Sequence, residues 1–113
     1  MPELHEIYDE GETLKDAGKL DEAVAKFNDV LAQEPNYALA HFALAVVLGR
    51  LSQHEKAVEH AEKAAQLEPA EAFSYSALSV TYHRAFEGTR DMRYVELAEQ
   101  AKAKAHEVGG HAH

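Results

Sequence analysis

The chain has 113 residues, no cysteine, and 11 Lys and Arg against 20 Asp and Glu, a formal charge of −9. That length suits one domain, and the missing thiols exclude disulfides, a cysteine nucleophile and thiolate-held metal. The acidic balance argues against nucleic acid and anionic membranes as partners, since both are gripped by Lys and Arg. Apolar residues recur at spacings of three, four and seven, with no β-like alternation, so the elements are helices. The first is expected over about 3–17, where Ile7, Leu14 and Ala17 share a face, and Gly18-Lys19 ends it. The second, over about 21–34, follows the stripe Leu20, Val24, Phe27 and Leu31 and stops at Pro35. The residue before a proline is pushed out of the helical region. The third runs over about 37–51 to Ser52-Gln53, and the fourth over about 54–67 to Glu68-Pro69. A fifth over about 70–87 is expected to turn at Gly88-Thr89, and a sixth over about 91–108 to stop at Gly109-Gly110. Residues 109–113 are then a flexible Gly/His tail.

The elements repeat. Pro35 and Pro69 are 34 apart, as are Ala23 and Ala57, and Val24 and Val58. Leu14, Leu48 and Tyr82 form a triple at the same spacing, as do Glu10, Leu44 and Leu78, and Ile7, His41 and Tyr75. Gly11, Ala45 and Ser79 form a fourth, small in every member. After Tyr82 the register slips by three: Val58, Ala61 and Ala64 correspond to Val95, Ala98 and Ala101, each 37 further on. The fifth helix is therefore expected to run about one turn longer than its equivalents. A small residue at a fixed place in each unit lets two antiparallel helices cross closely. One pair buries too little alone, and three stacked pairs make a continuous core.

These positions resemble the tetratricopeptide repeat family, in three repeats at about 4–36, 37–70 and 71–108 within a single domain spanning 3–108. Gly11 and Ala45 match its small first-helix position, with Leu14, Leu48 and Tyr82 following. Ala23 and Ala57 match the small second-helix position, Phe27 the aromatic after it, and Pro35 and Pro69 the closing proline. The departures are Ile7 and His41 in place of an early aromatic, Ala61 for the second-helix aromatic, and Tyr94 where a small residue is usual. The third repeat also lacks its proline. The resemblance implies an all-α, right-handed superhelix, an α-solenoid of three antiparallel helix pairs, whose first helices line a concave groove that takes a peptide or helix.

Residues opposite the small crossing positions face that groove: His5, Tyr8, Glu12, Lys15 and Asp16 in repeat one, and Leu39, Phe42, Val46, Gly49 and Arg50 in repeat two. Repeat three contributes Phe73, Ser76, Val80, His83 and Arg84. The partner-binding set expected from this face is Tyr8, Glu12, Leu39, Phe42, Val46, Arg50, Phe73, Val80, His83 and Arg84. Its middle is apolar, with Phe42 as central anchor, because aromatic residues dominate binding hot spots. Asp16, Arg50 and Arg84 are each 34 apart and should form a ladder along one edge. Arg grips a carboxylate bidentately, so the expected partner is a protein or peptide with acidic and apolar residues. The opposing reading packs Leu39, Phe42 and Val46 as core and pairs Asp16 with Arg50. Relatives in the family clamp a chaperone tail's carboxylate with Lys and Asn. Tyr8, Glu12 and Ala43 stand at the comparable positions here, which disfavours that function.

Enzymatic signals are poor: there is no Gly-rich phosphate loop, no nucleophile elbow, and Asp9 and Val58 stand where a zincin helix would place its second His. No cofactor is expected. Eight histidines raise metal binding as a distant alternative, with His106, His111 and His113 as weak candidates. His41 is read as a packed, hydrogen-bonded core residue, and His54 and His60 as lying on different faces of the fourth helix. The other alternative is a self-assembling structural protein, or a homodimer, using the same groove. The polar sixth helix and acidic first helix favour a monomer or closed dimer. The longest apolar stretch, Tyr37 to Leu51, holds His41 and Arg50 and falls short of the ~20 residues needed to cross a bilayer. The acidic start lacks the pattern of a secretory signal, so the expected location is cytoplasmic.

Overall fold

Six helices follow the apolar stripes of the chain in a computed structural model that describes residues 3–110. They are α1 (Leu4–Asp16), α2 (Leu20–Gln33), α3 (Ala38–Arg50), α4 (His54–Leu67), α5 (Ala72–Thr89) and α6 (Arg93–Gly110). Consecutive helices pack as three hairpins, α1 on α2, α3 on α4 and α5 on α6. The hairpins join through α2 against α3 and α4 against α5, while α1, α3 and α5 lie side by side. The result is an all-α solenoid measuring 41 × 35 × 21 Å, whose short axis is about two helix diameters.

The small residues act where the repeat pattern places them. A Cβ on Gly11 would fall 2.6 Å from Cε1 of the fully buried Phe27, so glycine is what lets α1 and α2 cross at this distance. Ala45 is buried at the equivalent place, and Ser79 uses its hydroxyl there to donate to the Ala98 carbonyl at 2.9 Å. Phe27, Leu44 and Val47 fill the core of repeats one and two. Ala61, Ala65, Ala85, Ala98 and Ala101 pack around Tyr82 in repeat three.

The two short turns share one geometry. Gly18 (φ 79°) and Ser52 (φ 63°) stand one repeat apart and are both left-handed. At each, the left-handed residue donates its N–H to Lys15 or Gly49, and the next residue donates to Leu14 or Leu48. This is the Schellman closure of a helix, and glycine satisfies it without the Cβ strain that Ser52 carries.

Two expected boundaries move. Gly88 and Thr89 belong to α5, and the turn falls at Arg90, left-handed at φ 63°. The Arg90 N–H donates to Phe86 at 2.6 Å and its guanidinium sits 5.5 Å from the centre of the Phe86 ring. Thr89 Oγ1 accepts the Asp91 N–H, and Asp91 in turn accepts from the Arg93 N–H at the start of α6. Gly88 is small for a different reason: a Cβ would strike the His54 imidazole, 2.1 Å from Nε2. Gly109 and Gly110, expected to open the tail, continue α6. Gly109 lies against the first residue of α5, where a Cβ would meet Ala72 at 3.6 Å, so packing on α5 carries the last turn despite poor propensity. His111 and His113 lie outside the described residues. Among those described, no helix is long and apolar enough to cross a membrane.

Candidate partner-binding groove

The face shared by α1, α3 and α5 changes character along the stack. At the α1 end it is internally paired. Tyr8 leans on Phe27 (5.6 Å between ring centres) and Tyr37 (5.9 Å), and its hydroxyl donates to Glu12 at 2.8 Å. Burial, then the Glu12 carboxylate, pushes the Tyr8 phenol well above its ordinary value. Glu12 also holds Lys15 at 2.7 Å. Tyr8 and Glu12, expected to meet a partner, are hydrogen-bonded to each other, and the Tyr8 ring packs on Phe27 and Tyr37.

The α3 and α5 end is open. Leu39 is 53% exposed, Phe73 67% and Val80 53%. Phe42 and Val46 are half-buried, and Phe42 meets Phe73 edge-to-face with ring centres 5.4 Å apart. Neighbouring Ala40, Ala43, Leu44 and Val47 are buried, so α3 is apolar all round yet divides into a core side and a half-wet side. Ser76 shares a depression with Glu99, Lys102 and His106 of α6, which places it at the end of the stack beside α6.

Arg50 and Arg84 come together. Both are exposed and line one depression with Gly49, His54, Glu87 and Gly88. Asp16 is not among the residues that line this depression. Ion pairs among the described residues join Lys15 to Glu12, Lys26 to Glu10, Arg93 to Asp91 and Lys104 to Glu107, and none uses Asp16, Arg50 or Arg84. His83 is exposed one residue before Arg84. His54 was not expected here. It opens α4, and the bare backbone of Gly88 gives its ring room beside the two arginines. The two residues lie on separate helices, so sequence spacing carried no signal of the contact.

Two further polar contacts tie the repeats. His41 is 7% exposed, as a core histidine should be; its partners are the Pro35 carbonyl and His60. Tyr82 Oη donates to Glu62 at 2.5 Å, and its ring stacks on Tyr94, which explains an aromatic at a position where the family favours a small residue. His106 is exposed on α6, and no group of three or more His, Asp or Glu gathers at metal-binding distance among the described residues.

The geometry agrees with the comparisons. A family model described as TPR repeat matches residues 11–52. No curated protein matches in sequence. Among solved structures, MamA (41-end) from Desulfovibrio magneticus RS-1 is 26% identical with a TM-score of 0.75, over 94% of this chain and 56% of that one. The Sgt2 TPR domain from Aspergillus fumigatus is 24% identical with a TM-score of 0.82, over 97% and 68%. YrrB, described as a TPR protein with an unusual peptide-binding site, is 18% identical with a TM-score of 0.76, over 96% and 52%. The chain thus spans little more than half the length of the MamA and YrrB chains it resembles. With one repeat matched in sequence and the same hairpin carried through three units, the chain resembles tetratricopeptide-repeat proteins and shares their fold.

Proposed function

We propose that this protein is a non-enzymatic protein–protein interaction module that takes a peptide or helix along the α3 and α5 face. The observation that carries the reading is the half-exposed apolar row of Leu39, Phe42, Phe73 and Val80, with exposed Arg50 and Arg84 further along the same two helices. A small protein seldom leaves such a row wet without a use. In a chain of charge −9, two arginines held in no ion pair among the described residues select an acidic guest by charge complementarity. The fold adds support, since tetratricopeptide neighbours include a protein described as having a peptide-binding site and one solved as a complex, CopN-Scc3. The guest is therefore read as a segment with an apolar or aromatic side chain next to a carboxylate.

A peptide array pairing aromatic with acidic residues, probed with wild type, Phe73→Ala and Arg84→Glu, tests this. Binding that either substitution weakens, with helicity intact, supports the reading. Binding indifferent to both removes it. Light scattering across concentration separates the self-assembly reading: mass that grows with concentration and is abolished by Phe73→Asp assigns the same face to a second copy.

A further inference from the structure

The second repeat contains a polar contact that the groove does not use. His41 Nε2 lies 2.8 Å from the Pro35 carbonyl, and His41 Nδ1 lies 3.0 Å from Nδ1 of half-buried His60. A carbonyl only accepts, so His41 Nε2 carries the hydrogen. The neutral ring then offers a lone pair at Nδ1, and His60 must donate from its own Nδ1. A first added proton has one open place, His60 Nε2. That proton places a cation on a half-buried ring whose centre lies 5.2 Å from the centre of the His41 ring. No third ligand completes a metal site at this pair among the described residues.

We propose that His41 and His60 form an acid-weakened latch, which ties the start of α3 to the inter-repeat turn and to α4, and that the cost of charging half-buried His60 beside His41 loosens the second helix pair at mildly acidic pH. Repeat three contains the control. Tyr75, one repeat on from His41, donates to the Pro69 carbonyl at 2.9 Å through a phenol in place of the imidazole. Glu59 on α4 is the charge that reaches His60. Glu34, in the turn after α2, accepts from the Asn36 N–H. On α1, Tyr8 is bound to Glu12, and on α5, Tyr75 and Tyr82 are bound to Pro69 and Glu62. Burial lowers the His60 pKa, the neighbouring His41 lowers it further, and Glu59 works in the opposite direction. A folded pKa below the unfolded value means the unfolded chain takes the proton first. The latch therefore contributes fully above about pH 6.5, and its contribution falls as pH drops from there through the lowered folded pKa. Each unit of lowering is worth about tenfold in the folding equilibrium.

The test compares amide hydrogen-exchange protection factors at about pH 7.5 and about pH 5.5, on either side of the ordinary histidine range. It uses wild type and the double variant His41→Tyr, His60→Leu, which installs the chemistry of repeat three. The expected result is a loss of protection in α3 and α4 of wild type at the lower pH, larger than in α6 and absent from the double variant. Equal protection at both pH values in wild type, or the same loss in the variant, overturns the latch. Should the variant fail to fold, imidazole NMR titration of wild type decides. His60 must titrate below the ordinary imidazole value of about 6.5, and a midpoint at or above that value overturns the proposal. Neither measurement uses a guest, so the outcome is independent of the groove's role.

Discussion

His41 and Tyr75 stand one repeat apart and make one hydrogen bond with different chemistry, His41 Nε2 to Pro35 at 2.8 Å and Tyr75 Oη to Pro69 at 2.9 Å. Each reaches back to the carbonyl of the proline that closes the preceding repeat. That proline ends the helix and lacks an N–H, and the side-chain donor engages its carbonyl at the turn.

Close packing of the first hairpin rests on one hydrogen atom. Gly11→Ala should push Phe27 from its site and cost about 1–3 kcal/mol, the usual range for an overpacked core. Gly49→Ala meets nothing within 4 Å and should gain up to about 1 kcal/mol from helix propensity. Urea unfolding midpoints of the two variants should move in opposite directions.

The Schellman turns give a reciprocal pair. Ser52→Gly should stabilise by about 1 kcal/mol, because a left-handed L-residue carries strain that glycine lacks. Gly18→Ala should cost a similar amount, since its φ is 79° although nothing crowds its Cβ. Thermal melts of both, against wild type, check the symmetry.

Alkaline pH should unfold the protein early. Burial, then a carboxylate acceptor, raises the phenols of Tyr8 and Tyr82 well above their ordinary value. The folded chain holds those protons while the unfolded chain releases them. Their contribution is thus full below about pH 10 and is lost as pH rises through the raised folded values. Tyr82→Phe should flatten that loss and, by leaving Glu62 without its donor, lower stability by about 1–3 kcal/mol at neutral pH. Denaturant titrations at neutral and alkaline pH report both effects.

On the groove, Phe73→Ala and Arg84→Glu remove exposed side chains and should change stability by no more than about 0.5 kcal/mol. Guest affinity should fall about tenfold or more for each, the scale of an interface anchor. Calorimetry with a bound peptide, beside circular dichroism, separates the two quantities.

Helices, repeat spacing and the longer α5 were legible in the sequence because they depend on neighbours three or four places away, or one repeat on. The turn at Arg90 was not. Gly88 advertised flexibility, but its smallness answers to His54 on another hairpin. Register put Leu39, Phe42, Phe73 and Val80 on one face, while the hydrogen bond and packing that tie Tyr8 to Glu12, Phe27 and Tyr37 were invisible to register.

By itself the sequence determined that three helix pairs stack and which stripe of each faces inward, because apolar period and small-residue placement are local and repeat identically. Only the tertiary structure decided which polar groups meet: His41 with His60, and Tyr82 with Glu62. Those partners come from different helices, brought together by the packing of one helix on the next. A hydrogen bond, which is lost within an ångström, depends on that placement in a way that hydrophobic burial does not.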